Sequence, residues 1–219
     1  MSSVEPAVEG DAGAPGAADA QGVALGYEPL AGRGERRVWI PLGGSRSAGA
    51  MSESQRDRLV GAVLDVRPEP GTRLVLLGVD VDGLRPAGRA ALRDRIAFLP
   101  ADGGLLSNLN AWENIVLPVG FHHPGRLPGV AAQVKGMLES LGTDPRDLLA
   151  KLPERMTPYE KKLTGYVRIA LDNPDLVLDE EVEAGLDSAE RAAAARLPAA
   201  YLERCPGGTF VQLQVARER

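Results

Sequence analysis

The sequence predicts an α/β fold in which a helical subdomain is inserted into a sheet-forming core. Aliphatic runs typical of buried strands, "RLVLLGVDV" (73–81) and "RIAFLP" (95–100), alternate with segments of helical period. From about 105 to 170 the helical period takes over. The chain then ends with a strand at 175–179, a helix, and a strand at 208–215.

The N-terminal part of the core begins after a segment rich in Ala, Gly and acids, residues 1–21, which we expect to be disordered. Residues 22–42 hold two β-like runs around a Gly-rich turn and predict a hairpin. The small residues of 43–54 predict a loop, and apolar spacing predicts a helix over 53–66. "PAGRAALRDR" (86–95) predicts a short helix with Pro at its start.

Two helices of the insertion carry clear start signals. Asn110 followed three residues later by Glu113 is a capping-box pattern. Thr157, Pro158 and Glu160 form the same pattern with Pro at the first helical position.

The resulting division has four parts. Residues 22–104 form the first part of the core, 105–172 the helical subdomain and 173–219 the rest of the core, after the tail of 1–21. A helix is expected over about 187–203 within the last part.

Composition excludes several classes of function. The net charge is −5 and no block of Lys or Arg stands out, which argues against a nucleic-acid partner. The single Cys205 excludes an internal disulfide framework and fits a reducing compartment. No apolar run reaches the roughly 20 residues of a membrane span, and no signal peptide is recognisable. We therefore expect a cytoplasmic protein.

Three stretches resemble one family. "RIAFLPADGGLLSNLNAWENIVLPVGFHH" (95–123), "NPDLVLDEEVEAGLD" (173–187) and "GRGERRV" (32–38) resemble segments of ABC transporter ATPases. The wording of residues 103–118 is most similar to ATPases of Mla- and Mce-type lipid transporters. The resemblance implies a P-loop NTPase-like fold, ATP and Mg²⁺ as cofactors, and a permease or an active ABC ATPase as partner. It also implies a place at the inner face of the plasma membrane, reached through the permease.

The phosphate loop of that family, GxxxxGK[ST], has two possible registers here, and neither contains the Lys. Counting from the strand before it gives Gly44 and Gly49, with Ala50 and Met51 where Lys and Ser/Thr belong. The first Lys of the chain is Lys135.

The second register is counted back without gaps from "RPEPG" (67–71). In this register Gly49 takes the first glycine position and Ser54 the second. Gln55 then replaces the Lys, and Arg56 replaces the magnesium-binding hydroxyl and is followed by Asp57. Arg46 or Arg56 could contact a phosphate, while the alternative is a small-residue connection into a helix.

The magnesium-side acids fall at the end of the predicted strand. Without gaps the pair is Glu180 and Glu181, with Glu181 as the vestigial general base and Asp179 preceding them. A slip of one residue would make the pair Asp179 and Glu180. Such carboxylates suit a hard cation, and three solvated acids are the alternative.

The signature segment aligns with "MTPYE" (156–160), where Thr157 could replace the family's Ser toward the phosphate. Pro158 has no N–H and Tyr159 adds a ring where bare backbone is needed. A capped helix start explains the same residues.

The remaining motifs are also altered. Ala101 stands where the family carries the loop Gln, with Gly103 and Gly104 as a hinge. The only histidines, His122 and His123, lie far from the last strand, where the switch His belongs. Tyr27 could stack on adenine or pack on its own sheet.

The altered motifs predict a degenerate ABC transporter ATP-binding protein that serves as a non-hydrolysing scaffold or regulatory subunit. Such a chain can hold ATP and Mg²⁺ or no nucleotide. A divergent but active transport ATPase is the alternative, as is a free-standing regulatory protein. A permease helix would dock beside the glutamine-loop exit, where the segment supplies Leu105, Leu106, Leu109, Trp112, Ile115 and Phe121. The alternative is that Trp112 packs inside the helical subdomain.

Overall fold

The computed structural model describes residues 5–6, 17–180 and 185–216, with side chains from residue 20 onward. These residues form two compact units. The core unit contains the described residues up to Phe98, Pro174–Glu180 and 205–216, and the helical unit contains Leu99–Asn173 and 185–204.

The elements in chain order alternate between strands and helices before and after a helical stretch. They are β1 Glu5–Pro6, β2 Val23–Glu28, β3 Val38–Pro41, β4 Gly44–Met51, α1 Glu53–Asp65, β5 Arg73–Leu76, β6 Val79–Asp80, α2 Pro86–Arg93, β7 Ile96–Leu99, α3 Ala111–His122, α4 Leu127–Ser140, α5 Pro145–Leu148, α6 Pro158–Ala170, β8 Leu176–Glu180, α7 Ser188–Ala194, α8 Leu197–Arg204 and β9 Thr209–Val215. Short 3-10 helices span Ala17–Gly22, Pro124–Arg126 and Pro153–Arg155.

The strands form two sheets. The five-stranded sheet has the order β1-β4-β9-β8-β7, and β9 pairs in parallel with β4 on one side and β8 on the other. The four-stranded sheet has the order β3-β2-β5-β6 with antiparallel pairing. The predicted α/β core with an N-terminal β-hairpin and a helical insertion is therefore confirmed.

One apolar core serves both sheets. It contains Ile40 and Leu74 from the antiparallel sheet, Leu178 and Val211 from the parallel sheet, and Leu59 from α1. Helix α1 is thus held by the same core that fixes the carboxyl ends of β4 and β8, and this places its first turn beside those strand ends.

Three sequence predictions were wrong in detail. Residues 73–81 form a hairpin instead of one strand, because Leu77 and Gly78 adopt positive φ (50° and 81°) in a two-residue turn. The helix expected over 187–203 is two helices, α7 and α8, since Pro198 lacks the N–H that would continue the hydrogen bonding.

The third is the loop predicted over 43–54, which is mostly the eight-residue strand β4. Within the segment 1–21, the described residues include the strand β1 and the start of the 3-10 helix Ala17–Gly22.

Candidate nucleotide-binding site

The connection between β4 and α1 is where a phosphate loop would lie. β4 ends at Met51 and α1 begins at Glu53, so that only Ser52 separates strand from helix. The Ser52 hydroxyl caps the helix by accepting from the Gln55 N–H at 3.2 Å. The described residues therefore contain no loop at this point that could wrap around a phosphate group.

Both predicted loop glycines lie within β4. Gly44 is paired with Thr209 of β9, and Gly49 lies at a bulge between Ser47 and Ala50. Gly49 has a φ of +74°, a conformation that glycine adopts without strain, and its N–H donates to the Ser47 hydroxyl at 3.1 Å. Pairing with β9 accounts for the strand, although the small residues of β4 gave no strand signal.

Gln55, which replaces the phosphate Lys in the ungapped register, is 2% exposed. Its side-chain amide bonds twice to the backbone of Arg36: it accepts from the Arg36 N–H at 3.2 Å and donates to the Arg36 carbonyl at 2.6 Å. The Gln55 side chain therefore stabilises the backbone at Arg36, just before β3, and does not extend toward a ligand.

Arg56, which stands at the position of the magnesium-binding hydroxyl in the same register, joins α1 to the end of β8. Its Nη1 lies 2.7 Å from Oε1 of Glu180, and its Nε and Nη2 donate to Asp57 at 3.0 and 2.8 Å. The hydrogen bond to Asp57 is the main cause that raises the pKa of the guanidinium; burial opposes it, and the charge of Glu180 adds to it. Arg56 is therefore a fixed positive charge among carboxylates.

The acids of the predicted metal site are placed differently from one another. Asp179 is 5% exposed and paired with Gln212 of β9, while Glu180 reaches Arg56. Glu181, predicted as the vestigial general base, lies outside the described residues. Among the described residues, no group of three or more His, Cys, Asp or Glu is arranged to hold a metal ion.

ATP and Mg²⁺, which the resemblance implies, do not fit the described residues of this connection. The β4–α1 connection lacks a cradle of backbone amides, Gln55 is turned to Arg36, and the guanidinium of Arg56 contacts Glu180 directly. A magnesium ion needs oxygen ligands at about 2.0–2.1 Å and usually retains several waters. The Arg56 guanidinium, in direct contact with Glu180, occupies the place beside that carboxylate where the ion and its waters would lie.

The segment aligned with the family signature is a capped helix start. The Thr157 hydroxyl accepts from the Glu160 N–H at 3.2 Å, and a Glu160 carboxylate oxygen accepts from the Thr157 N–H at 3.0 Å. Lys151 adds an ion pair to Glu160 at 2.6 Å. Pro158 contributes no N–H, and Tyr159 is buried, which is the main cause of its raised pKa.

The glycines of the predicted hinge are needed for close packing. A Cβ on Gly103 would lie 2.1 Å from the Lys161 carbonyl oxygen, and one on Gly165 would lie 2.5 Å from the Gly103 oxygen. Arg168 donates to the carbonyls of Gly103 and Gly104, each at 2.8 Å, and burial lowers its pKa. The segment is thus bound to α6, a role that the sequence reasoning missed.

The other predicted contacts lie as follows. Tyr27 is 1% exposed within the core, so no face of its ring is open to an adenine in this structure, and burial raises its pKa. His122 and His123 are exposed with ring centroids 6.4 Å apart.

None of the described helices is both long enough and apolar enough for a membrane span.

The fold is that of ABC transporter ATP-binding domains. The chain superposes on cbiO1 of Clostridium perfringens, part of the ABC transporter complex cbiONQ, with a TM-score of 0.69 over 89% of this chain and 79% of that chain. The ATP-binding cassette MJ0796, solved bound to ADP and Pi, gives a TM-score of 0.60 with 87% of each chain covered. At 15% identity, both likenesses establish the fold alone.

Sequence relatives point the same way. The chain is 27% identical over 130 residues to the methionine import ATP-binding protein MetN of Bifidobacterium longum, and 30% identical over 114 residues to the macrolide export ATP-binding/permease protein MacB of Syntrophobacter fumaroxidans. These matches cover 59% and 51% of this chain but 31% and 16% of the relatives. No protein-family model matches the chain.

Proposed function

We propose that this protein is a degenerate ABC transporter ATP-binding subunit that acts as a non-hydrolysing scaffold or regulatory subunit of a membrane transporter. The observation that carries the proposal is the use of the catalytic positions for internal contacts. Gln55 bonds to backbone, Arg56 pairs with Glu180, and Thr157 caps its own helix. These internal contacts support the proposal, because the fold needs no nucleotide to satisfy the three side chains.

The proposed partner is an integral-membrane permease or an active ABC ATPase, reached from the cytoplasmic side. The relatives named above support a transporter context, since one is an import ATP-binding protein and the other an ATP-binding/permease protein. Their different substrates, methionine and macrolides, carry no substrate over to this chain. We propose a lipid-type transporter because the sequence of residues 103–118 resembles that of lipid-transporter ATPases.

Loss of both the phosphate loop and the signature favours a structural or inhibitory role. In the resembled family each hydrolytic site combines one subunit's phosphate loop with the other's signature. A chain altered at both Gln55 and Pro158 would impair both sites of any heterodimer. This speaks against an ordinary half-active pair.

The test is release of phosphate from MgATP by the purified protein alone. We expect a rate equal to that of buffer, because removal of one preorganised electrostatic contact typically costs about 10²–10³ in rate and several are replaced here. Turnover above buffer that Glu181→Gln abolishes would instead establish the divergent active ATPase.

A further inference from the structure

The ion pair between Arg56 and Glu180 joins the two positions that hold magnesium in the resembled family. In the ungapped register, Arg56 stands where the phosphate loop has its magnesium-binding hydroxyl, and Glu180 stands where the metal-side acid belongs. The structure brings Nη1 and Oε1 to 2.7 Å.

The guanidinium is held on more than one side. It contacts Glu180 through Nη1 and Asp57 through Nε and Nη2, and Glu53 in the first turn of α1 adds a further negative charge nearby. Its planar fork is suited to bind two carboxylates at once. The Arg56 guanidinium therefore contacts carboxylates contributed by α1 and by the end of β8.

The pair is partly shielded from solvent. The Arg56 and Glu180 side chains are 20% and 21% exposed, so salt screens their attraction less than it screens a fully exposed pair. Removing Arg56 would take away the positive charge that contacts Glu180 and Asp57. Carboxylate oxygens are the ligands that hard divalent cations prefer.

We propose that the Arg56 guanidinium is a built-in cation that takes the place of the divalent metal in this fold and holds the end of β8 against α1. The core unit is then complete without Mg²⁺. This inference goes beyond the proposed function and does not depend on it, because it concerns an ion pair within the core unit alone.

The test is titration with Mn²⁺ followed by electron paramagnetic resonance of the free ion. We expect no wild-type binding that depends on Glu180. Arg56→Ser, which restores the hydroxyl of the phosphate-loop pattern, should bind Mn²⁺ with a dissociation constant of about 10⁻³ M or tighter, the order of weak carboxylate sites. The matched control, Arg56→Lys, keeps the cation and should behave like the wild type.

The double variant Arg56→Ser with Glu180→Gln should lose the acquired Mn²⁺ binding. The inference is overturned if Arg56→Ser folds and binds no more Mn²⁺ than the wild type. If Arg56→Ser does not fold, the wild-type protein decides: its melting temperature should be the same in Mn²⁺ and in EDTA. A Mn²⁺-dependent rise that Glu180→Gln abolishes would show a metal at Glu180 and refute the built-in cation.

Discussion

Replacing Gln55 with Leu removes the two hydrogen bonds that join α1 to the backbone of Arg36. The leucine side chain is apolar and similar in volume, so the buried position stays largely filled. The Arg36 N–H and carbonyl lose their partners at 3.2 and 2.6 Å. An unsatisfied buried polar group costs about 1–3 kcal/mol. Arg36 is exposed as a residue, which allows water to replace part of the loss. We therefore expect the lower end for each group, about 2 kcal/mol in total.

The assay is urea unfolding, together with thermal melting, of wild-type and variant protein. For a chain of this length 1 kcal/mol corresponds to about 2–4 °C, so the melting temperature should fall by about 4–8 °C. Ser54→Leu is the matched control, because Ser54 is the exposed neighbour on the same helix turn. A change within about 0.5 kcal/mol, the range of ordinary surface substitutions, would refute a structural role for the Gln55 amide.

The remaining predictions concern the helical unit. Gly165→Ala should destabilise the protein by about 1–2 kcal/mol. Overpacking against the Gly103 backbone costs about 1–3 kcal/mol, and the gain in helix propensity offsets up to about 1 kcal/mol of that loss. The control, Gly136→Ala, has open space around the added methyl group and should be neutral or stabilising in the same melting assay. Equal stability of the two variants would contradict the close approach. Trp112→Ala should reduce recovery of membrane partners in a pull-down. Its loss of free energy of unfolding should be well below the 3–5 kcal/mol expected for a fully buried aromatic side chain, since Trp112 is half-buried. Ile115→Ala, at a position with 0% exposure on the same helix, should lose stability instead, and a stable Trp112→Ala that recovers the same partners would rule out this docking site.

Local signals in the sequence predicted the helix starts well. The capping boxes at Asn110 and Thr157 are made by hydrogen bonds between residues three apart, so the sequence contains both partners. Aliphatic strands such as β8 were recognisable for a similar reason, because burial on both faces selects the residue type along the whole strand.

Features that depend on distant partners could not be predicted. β4 is built from small residues and forms because β9 supplies its hydrogen bonds, and Gly49 allows the bulge. Arg56 looked like a candidate phosphate contact until the fold placed Glu180 beside it. Arg168 gave no signal at all, since its acceptors are backbone carbonyls of another segment.

The most direct test of the account is calorimetric titration of the wild-type protein with ATP and with ADP, each in Mg²⁺ and again in EDTA. The account predicts that Mg²⁺ makes no difference to either titration, because Arg56 already neutralises Glu180. If heat of nucleotide binding is seen and is the same in Mg²⁺ and in EDTA, the protein is a scaffold that binds nucleotide without metal. Magnesium-dependent binding of ATP that Glu180→Gln abolishes would contradict the account, since it would place a metal ion where the structure places a guanidinium.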